Sequence, residues 1–410
     1  MVIGGGPGGA ATAAFLAMRG HHVVLVEKER HPRFHIGESL LPRTLPMLDE
    51  LGVHDAVRAI GVHKPGAEFI SEDGRHEAVF DFGRALLGGP DHAYQVRRSD
   101  FDQILFDRAA ALGAEARQDT AAQILALGPE GAQVRTEGPD GEVIAWQTPV
   151  LVDASGRSTL VSNMLSEKRP DPHNTSAAIF GHFRGVPRRA DARGGNIRIH
   201  LTRPGWMWQI PLRDEVTSIG FVAPGDHLRR RDCGIEAFFA AHCARHPHVA
   251  AMLDGAERIG PLHATGNFSY RATAASGPSH IKVGDAYGFI DPIFSTGVHL
   301  ALTSAREAAA AIGDSLARPA TRAARLAQYH RDIERRLSFV SWFIYQIHDP
   351  VFRGMMVHPR NVLGVEQAMI SLLSGDFRPD PRIRTRIALF RLLRYIVAAT
   401  GRHDAGEANG

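Results

Sequence analysis

Six residues near the start constrain this chain more than any others. Gly4-Gly5-Gly6-Pro7-Gly8-Gly9 satisfies G-x-G-x-x-G. It follows the apolar run Met1-Val2-Ile3 and opens an alanine-rich stretch that reads as a helix to about Arg19. The next run, His22-Val23-Val24-Leu25-Val26, reads as a strand and ends in Glu27. Strand, glycine turn, helix, strand and an acid about 20 residues on together make a dinucleotide-binding β-α-β unit. The glycines let the backbone approach a pyrophosphate, and the helix N-terminus supplies amides and a favourable dipole. Gly4, Gly6, Pro7 and Gly9 are therefore candidate nucleotide contacts. Glu27, with Lys28 beside it, is the candidate partner of the ribose. The first strand is short for its role, which leaves room for a few residues before Met1.

These residues alone allow NAD or FAD. Three later segments favour FAD. Gln95-Val96-Arg97-Arg98-Ser99-Asp100-Phe101-Asp102 opens a helix and is similar to a flavin-contacting Val-x-Arg-x-x-Phe-Asp pattern, which points to Arg98. Val150-Leu151-Val152 is a short apolar strand running into Asp153-Ala154-Ser155-Gly156-Arg157. Ile281-Lys282-Val283-Gly284-Asp285-Ala286 is similar to a Gly-Asp segment that binds the flavin ribityl chain, which points to Asp285. Asp291-Pro292-Ile293-Phe294-Ser295-Thr296-Gly297-Val298 then leads into a long alanine-rich helix. Pro292 and Gly297 join the flavin candidates. The amides at Ser295, Thr296 and Gly297 make a candidate anion site, with a plain helix cap as the structural alternative. Only one dinucleotide fingerprint is present, so the flavin is expected to be reduced elsewhere, by a partner flavin reductase or a transiently bound nicotinamide.

Gly205-Trp206-Met207-Trp208-Gln209-Ile210-Pro211 is the second unusual stretch. The protein has only four tryptophans, and two of them stand at i, i+2. On a strand that spacing puts both indoles on one face. A buried sheet face is the ordinary explanation for such a pair. Lysine is also scarce: of 47 basic residues only Lys28, Lys64, Lys168 and Lys282 are lysines. A lysine retained in such a chain suits a need for an amine rather than a charge.

Alternating runs at residues 177–183, 196–201, 206–212 and 217–222 read as an antiparallel sheet. A second strand set, 66–71, 76–80 and 93–96, is inserted in the flavin half. The expected division is 1–61, 96–175 and 271–331 for flavin binding, and 62–95 and 176–270 for substrate. A helical region over 332–401 follows, and then a disordered tail over 402–410. Within the helical region, residues 382–397 mix five arginines with large apolar side chains.

The 410 residues allow two or three cores. No run of eighteen apolar residues predicts a membrane span. No charged-then-apolar leader is present, and two cysteines make no disulfide framework; both point to a cytoplasmic protein. A net charge of +3 gives no argument for nucleic acid. His242, Cys243, His246 and His248 match no standard zinc spacing, so no metal site is expected and a chance cluster at a surface helix end is the simpler reading.

The chain resembles flavin-dependent halogenases, in particular those acting on pyrroles and phenols. The matching elements are the glycine fingerprint, Phe34-His35-Ile36-Gly37-Glu38-Ser39-Leu40-Leu41-Pro42, Lys64-Pro65-Gly66-Ala67, the segment from Gln95 to Asp102, Trp206 to Pro211, and Asp291 to Val298. The likeness covers residue 2 to about 376. The fold it implies is α/β, or α+β overall: a FAD-binding Rossmann-like β-α-β domain of the flavin monooxygenase type, interleaved with an antiparallel-sheet substrate domain and followed by a C-terminal helical region.

The chemistry implied by the resemblance begins with reduced FAD and O2, which give a flavin hydroperoxide. Chloride or bromide, held at Ser295, Thr296 and Gly297, becomes hypohalous acid. The oxidant crosses an internal passage to Lys64, the catalytic residue, and an electron-rich ring is halogenated. Ser39 is implied at the flavin. Trp206, Trp208 and Phe294 wall the substrate from it. Phe294 stands where tryptophan halogenases carry a glutamate, which favours phenol or pyrrole substrates that activate their own ring. Such substrates, free or tethered to an acyl or peptidyl carrier protein, place the reaction in secondary metabolism. A FAD-dependent aromatic hydroxylase and a non-catalytic flavin-binding protein are the rival readings.

Overall fold

The computed structural model describes residues 1–400 except 173, 267, 268 and 379; the tail expected over 402–410 lies outside the described residues. The glycine fingerprint folds as its pattern predicts. Val2–Ile3 pairs in parallel with Val24–Val26 on one side and with Leu151–Asp153 on the other. The latter strand pairs in parallel with His280–Lys282, and Glu115–Arg117 closes the far edge. These strands, with Ser276–Gly277, form a six-stranded sheet. The inner strands Val2–Ile3, Val24–Val26 and Leu151–Asp153 are buried and mostly apolar, as a sheet covered on both faces requires. The helices Pro7–Ala17 and Thr296–Ala317 pack against each other beside this sheet. A three-stranded meander, Ala121–Leu127, Ala132–Glu137 and Val143–Thr148, forms a separate sheet whose Ala132 and Val134 pack with Ile3, Val24, Val26 and Leu151 of the first.

A seven-stranded sheet makes the second layer. Its order is Glu257–Thr265, Ser176–Arg184, Val216–Pro224, Trp206–Pro211, Ile197–Leu201, Gly66–Ile70 and Glu77–Asp81. It draws on both strand-rich stretches of the sequence. It differs from the expected antiparallel sheet in two ways. The joint between the two stretches, Ile197–Leu201 against Gly66–Ile70, runs parallel. And Ala93–Gln95 leaves the large sheet to pair with Val62–Lys64 in a two-stranded ladder. That small ladder fixes the backbone of Lys64.

Of the helices that follow, Arg322–Tyr345 packs on Thr296–Ala317, Pro350–Val357 and Val365–Leu373 pack on the strand edge formed by Gly66–Ile70 and Glu77–Asp81, and Pro381–Thr400 packs on these two helices. Arg353 reaches from this layer to the carbonyls of Thr202 and Gly205 and so ties down the turn that feeds the tryptophan strand. No helix among the described residues is long and apolar enough to cross a membrane.

Candidate active site

The nucleotide end is built from backbone. Gly4 has φ +107°, and a Cβ there would meet the Ala154 carbonyl oxygen at 2.3 Å. A side chain at Gly4 is therefore excluded by conformation and by space. At Gly6 a Cβ would meet only Arg33, at 3.7 Å, so packing within the protein does not demand that glycine. The helix beginning at Pro7 has no side-chain cap, which leaves its first amides free for an anion. Glu27 is buried and accepts from the amides of Gly5 (2.6 Å) and Glu29 (3.0 Å). Lys28 is exposed.

The other expected flavin contacts converge here. A Cβ at Gly8 would touch Val283 and Ala301, so the fingerprint helix lies against the Gly284-Asp285 turn and the helix beginning at Thr296. Arg98 is buried, donates twice to Asp102 (2.8 and 3.0 Å) and once to the Ile36 carbonyl. Burial pushes Asp285 up to about 6, while Arg98 and Arg157 pull the other way. An uncapped helix start, an open glycine and an arginine facing an aspartate form a cradle that fits the pyrophosphate and ribityl parts of FAD.

Asp291 sets the next turn. It is buried, burial pushes it up to about 6, and it accepts from the Ile293 amide at 3.1 Å. The chain then passes through Pro292–Phe294 to Ser295, which sits at φ +56°. That conformation is uncommon outside glycine. The helix Thr296–Ala317 starts there with no side-chain cap. A cleft lined by Asp285, Phe289, Thr296, Gly297 and Leu300 meets this turn. A Cβ at Gly297 would have only Phe289, at 3.8 Å, for a neighbour.

Lys64 is fully buried, and no carboxylate among the described residues pairs with it. Its Nζ donates to Ser39 Oγ (2.8 Å) and to the Leu40 carbonyl (2.9 Å), and it stands 5.3 Å from the centre of the Phe82 ring. Burial pushes it down to about 7, so the free amine is accessible near neutrality. Ser39, expected at the flavin, has its hydroxyl on this amine.

Trp206 and Trp208 share one buried face, their rings 5.9 Å apart. Trp208 donates to Ser218 at 3.2 Å, and its indole lies over Gly220, where a Cβ would meet it at 2.1 Å. Phe294 stacks on Phe343 (4.3 Å) and lies 6.3 Å from Phe69, on the strand that follows Lys64. Phe294 thus links the uncapped turn to the large sheet through Phe69.

One feature escaped sequence reasoning. Glu38 is buried, stands 2.8 Å from Nε2 of His182, and its second oxygen has no partner among the described residues. Its place in Gly37-Glu38-Ser39 was the available signal. The histidine group read from the sequence as a surface cluster needs a correction. It does lie where one helix ends and the next begins, but His242 and His246 are buried rather than on the surface, and His200 and His248 stack beside them. No group of three metal-binding side chains that could hold an ion exists among the described residues.

The family model described as Tryptophan halogenase matches residues 1–90 and 84–351. The chain belongs to the flavin-dependent halogenases. Flavin-dependent halogenase armH3 of Armillaria mellea is 33% identical over 346 residues, 77% of this chain and 67% of that protein. The 1H-pyrrole-2-carbonyl-[peptidyl-carrier protein] chlorinase of Pseudomonas fluorescens is 29% identical over 97% of this chain and 93% of its own. Among solved structures, the myxobacterial chondrochloren halogenase CndH superposes with TM-score 0.80 at 31% identity, covering 93% of this chain and 91% of that one. The flavin-dependent brominase Bmp2 gives 0.83 at 26%, covering 95% and 98%. This halogenase is thus an oxidoreductase that uses FAD, halide and O2.

Proposed function

We propose that this halogenase chlorinates or brominates an electron-rich phenol or pyrrole that reaches it as a thioester on a carrier protein, with reduced FAD supplied by a separate flavin reductase. The observation that carries the reading is Lys64: a fully buried amine with a neutral-range pKa, held by a hydroxyl and a carbonyl rather than a carboxylate. Such a group can hydrogen-bond a hypohalous acid or take the halogen, and release it to a ring carbon. When bound, reduced FAD would activate O2, the oxidant of the halide. In this reading the nucleotide is held by Gly4, Gly6, Pro7, Gly9, Glu27, Lys28, Arg98, Asp285, Pro292 and Gly297, with Ser39 between flavin and lysine. The amides of Ser295, Thr296 and Gly297 hold the halide. Trp206, Trp208 and Phe294 keep the ring away from the flavin. Residues 1–61, 96–175 and 271–331 make the flavin unit, 62–95 and 176–270 the substrate unit.

The carrier-bound substrate is supported by the Pseudomonas relative, whose name specifies a carrier-bound pyrrole and whose likeness spans nearly the whole chain. The phenol or pyrrole class is supported by Phe294, an apolar side chain at a position where a carboxylate would assist a less reactive ring. The test is incubation with a flavin reductase, chloride or bromide, and phenolic and pyrrolic acids, free and carrier-bound, read by mass spectrometry. Halogenated carrier-bound product is expected. Hydroxylated product made equally with and without halide would overturn the reading.

A further inference from the structure

The last helix, Pro381–Thr400, buries Ile383, Ile387 and Phe390. Its arginines divide by face. Arg394 pairs with Asp349, Arg382 with Asp380, and Arg391 lies 3.6 Å over the Trp342 ring. The opposite face carries Arg384, Ala388, Leu392, Tyr395 and Ala399, at the three- and four-residue spacing that aligns side chains along one stripe. Leu392 is 55% exposed, Tyr395 64% and the adjoining Ile396 49%. The guanidinium of Arg384 has no partner among the described residues, and the helix contains no acidic residue.

We propose that this outward face docks an acidic carrier protein; the inference rests on the carrier-bound reading of the substrate above. Three other occupants fit less well. Residues 401–410, Gly-Arg-His-Asp-Ala-Gly-Glu-Ala-Asn-Gly, hold no large apolar side chain that could cover the stripe. A second copy would set arginine-bearing, acid-free helices against each other, and one helical stripe falls short of the roughly 800 Å² per partner of a stable interface. A lipid surface suits a broad apolar face with cations on both flanks. Here a narrow ridge of three large side chains lies between alanines, a shape that seats in the groove of a helix. A small helical protein with acidic side chains around an apolar groove complements both the ridge and Arg384.

The experiment compares one aryl group in two forms, as a thioester on a carrier protein and as an N-acetylcysteamine thioester. The variants are Arg384→Glu and the pair Leu392→Ser/Tyr395→Ser, all on exposed positions. KM for the carrier-bound form is expected to rise about tenfold in each, and to rise with added salt in the wild type. Kinetics on the small thioester should stay at the wild-type values. Carrier KM unchanged in both variants would overturn the docking face and leave the carrier substrate standing. Wild-type turnover of free acids as efficient as the carrier form would remove the carrier reading and this face together, with halogenation untouched. Cosedimentation with phosphatidylglycerol vesicles, lost in the variants while carrier kinetics hold, would assign the stripe to lipid and overturn the proposal.

Discussion

Lys64 carries an energetic cost that reveals its use. An ordinary lysine takes its proton near 10.5, whereas this one is pushed down to about 7 by burial. Between those values the unfolded chain binds a proton that the folded one does not. Its contribution to stability is therefore present above 10.5 and lost as pH falls toward 7. Lys64→Met should remove that burden, raising stability near pH 7 by about 1 kcal/mol while abolishing halogenation. Thermal melts and product mass read the two effects separately. Lys64→Arg should also be inactive, since a guanidinium stays charged. Product formation at the wild-type rate in either variant would take Lys64 out of the mechanism. Lys64 could be picked out of the sequence by motif and scarcity; its full burial, its bonds to Ser39 and Leu40 and the absence of a counter-ion could not. Gly220 was invisible for a similar reason. Its value lies in the Trp208 indole lying over it from the neighbouring strand, a relation between residues that are distant in sequence.

At the scale of elements, the helices Ile235–Ala244 and Pro247–Leu253 pack against the large sheet through imidazoles. His242 stacks on Phe221 at 3.4 Å, and His200 stacks on His248 at 5.3 Å. Burial pushes His242 and His200 each down to about 3. The unfolded chain protonates these groups near 6.5, so the stability they contribute is full above that pH and drains as pH falls toward 3. The slope is about 1.4 kcal/mol per pH unit for each such histidine. The melting temperature should fall from pH 6.5 to 4.5, and less steeply in His242→Leu. An identical pH dependence in that variant would assign the acid sensitivity elsewhere. The strands themselves were legible, because alternation survives in short runs. The partnership of Ala93–Gln95 with Val62–Lys64, and the burial of the histidines, were not. Spacing along a chain does not tell which elements meet.

For the whole molecule, the proposed chemistry needs two places, one for halide and one for the lysine, with an aromatic group between them. Flavin-loaded crystals grown in bromide should show anomalous density at the Thr296 and Gly297 amides; ions found only beside Lys64 would contradict that arrangement. The dinucleotide fold could be read because its determinants are local: a glycine turn, a helix start and one acid within thirty residues. The large sheet was legible only in pieces, since its parallel joint sets Ala67 beside Ile197 and its edge is reached only at Thr265. That joint bears on how the protein is made. Gly66–Ile70 leaves the ribosome long before the strand that completes it, and such non-local pairing is slow. A half-synthesised chain therefore presents an unpaired, apolar edge, the kind of surface that chaperones shield and aggregates recruit. Yield in a foreign host should depend on translation speed and chaperone supply more than on the stability of the finished enzyme.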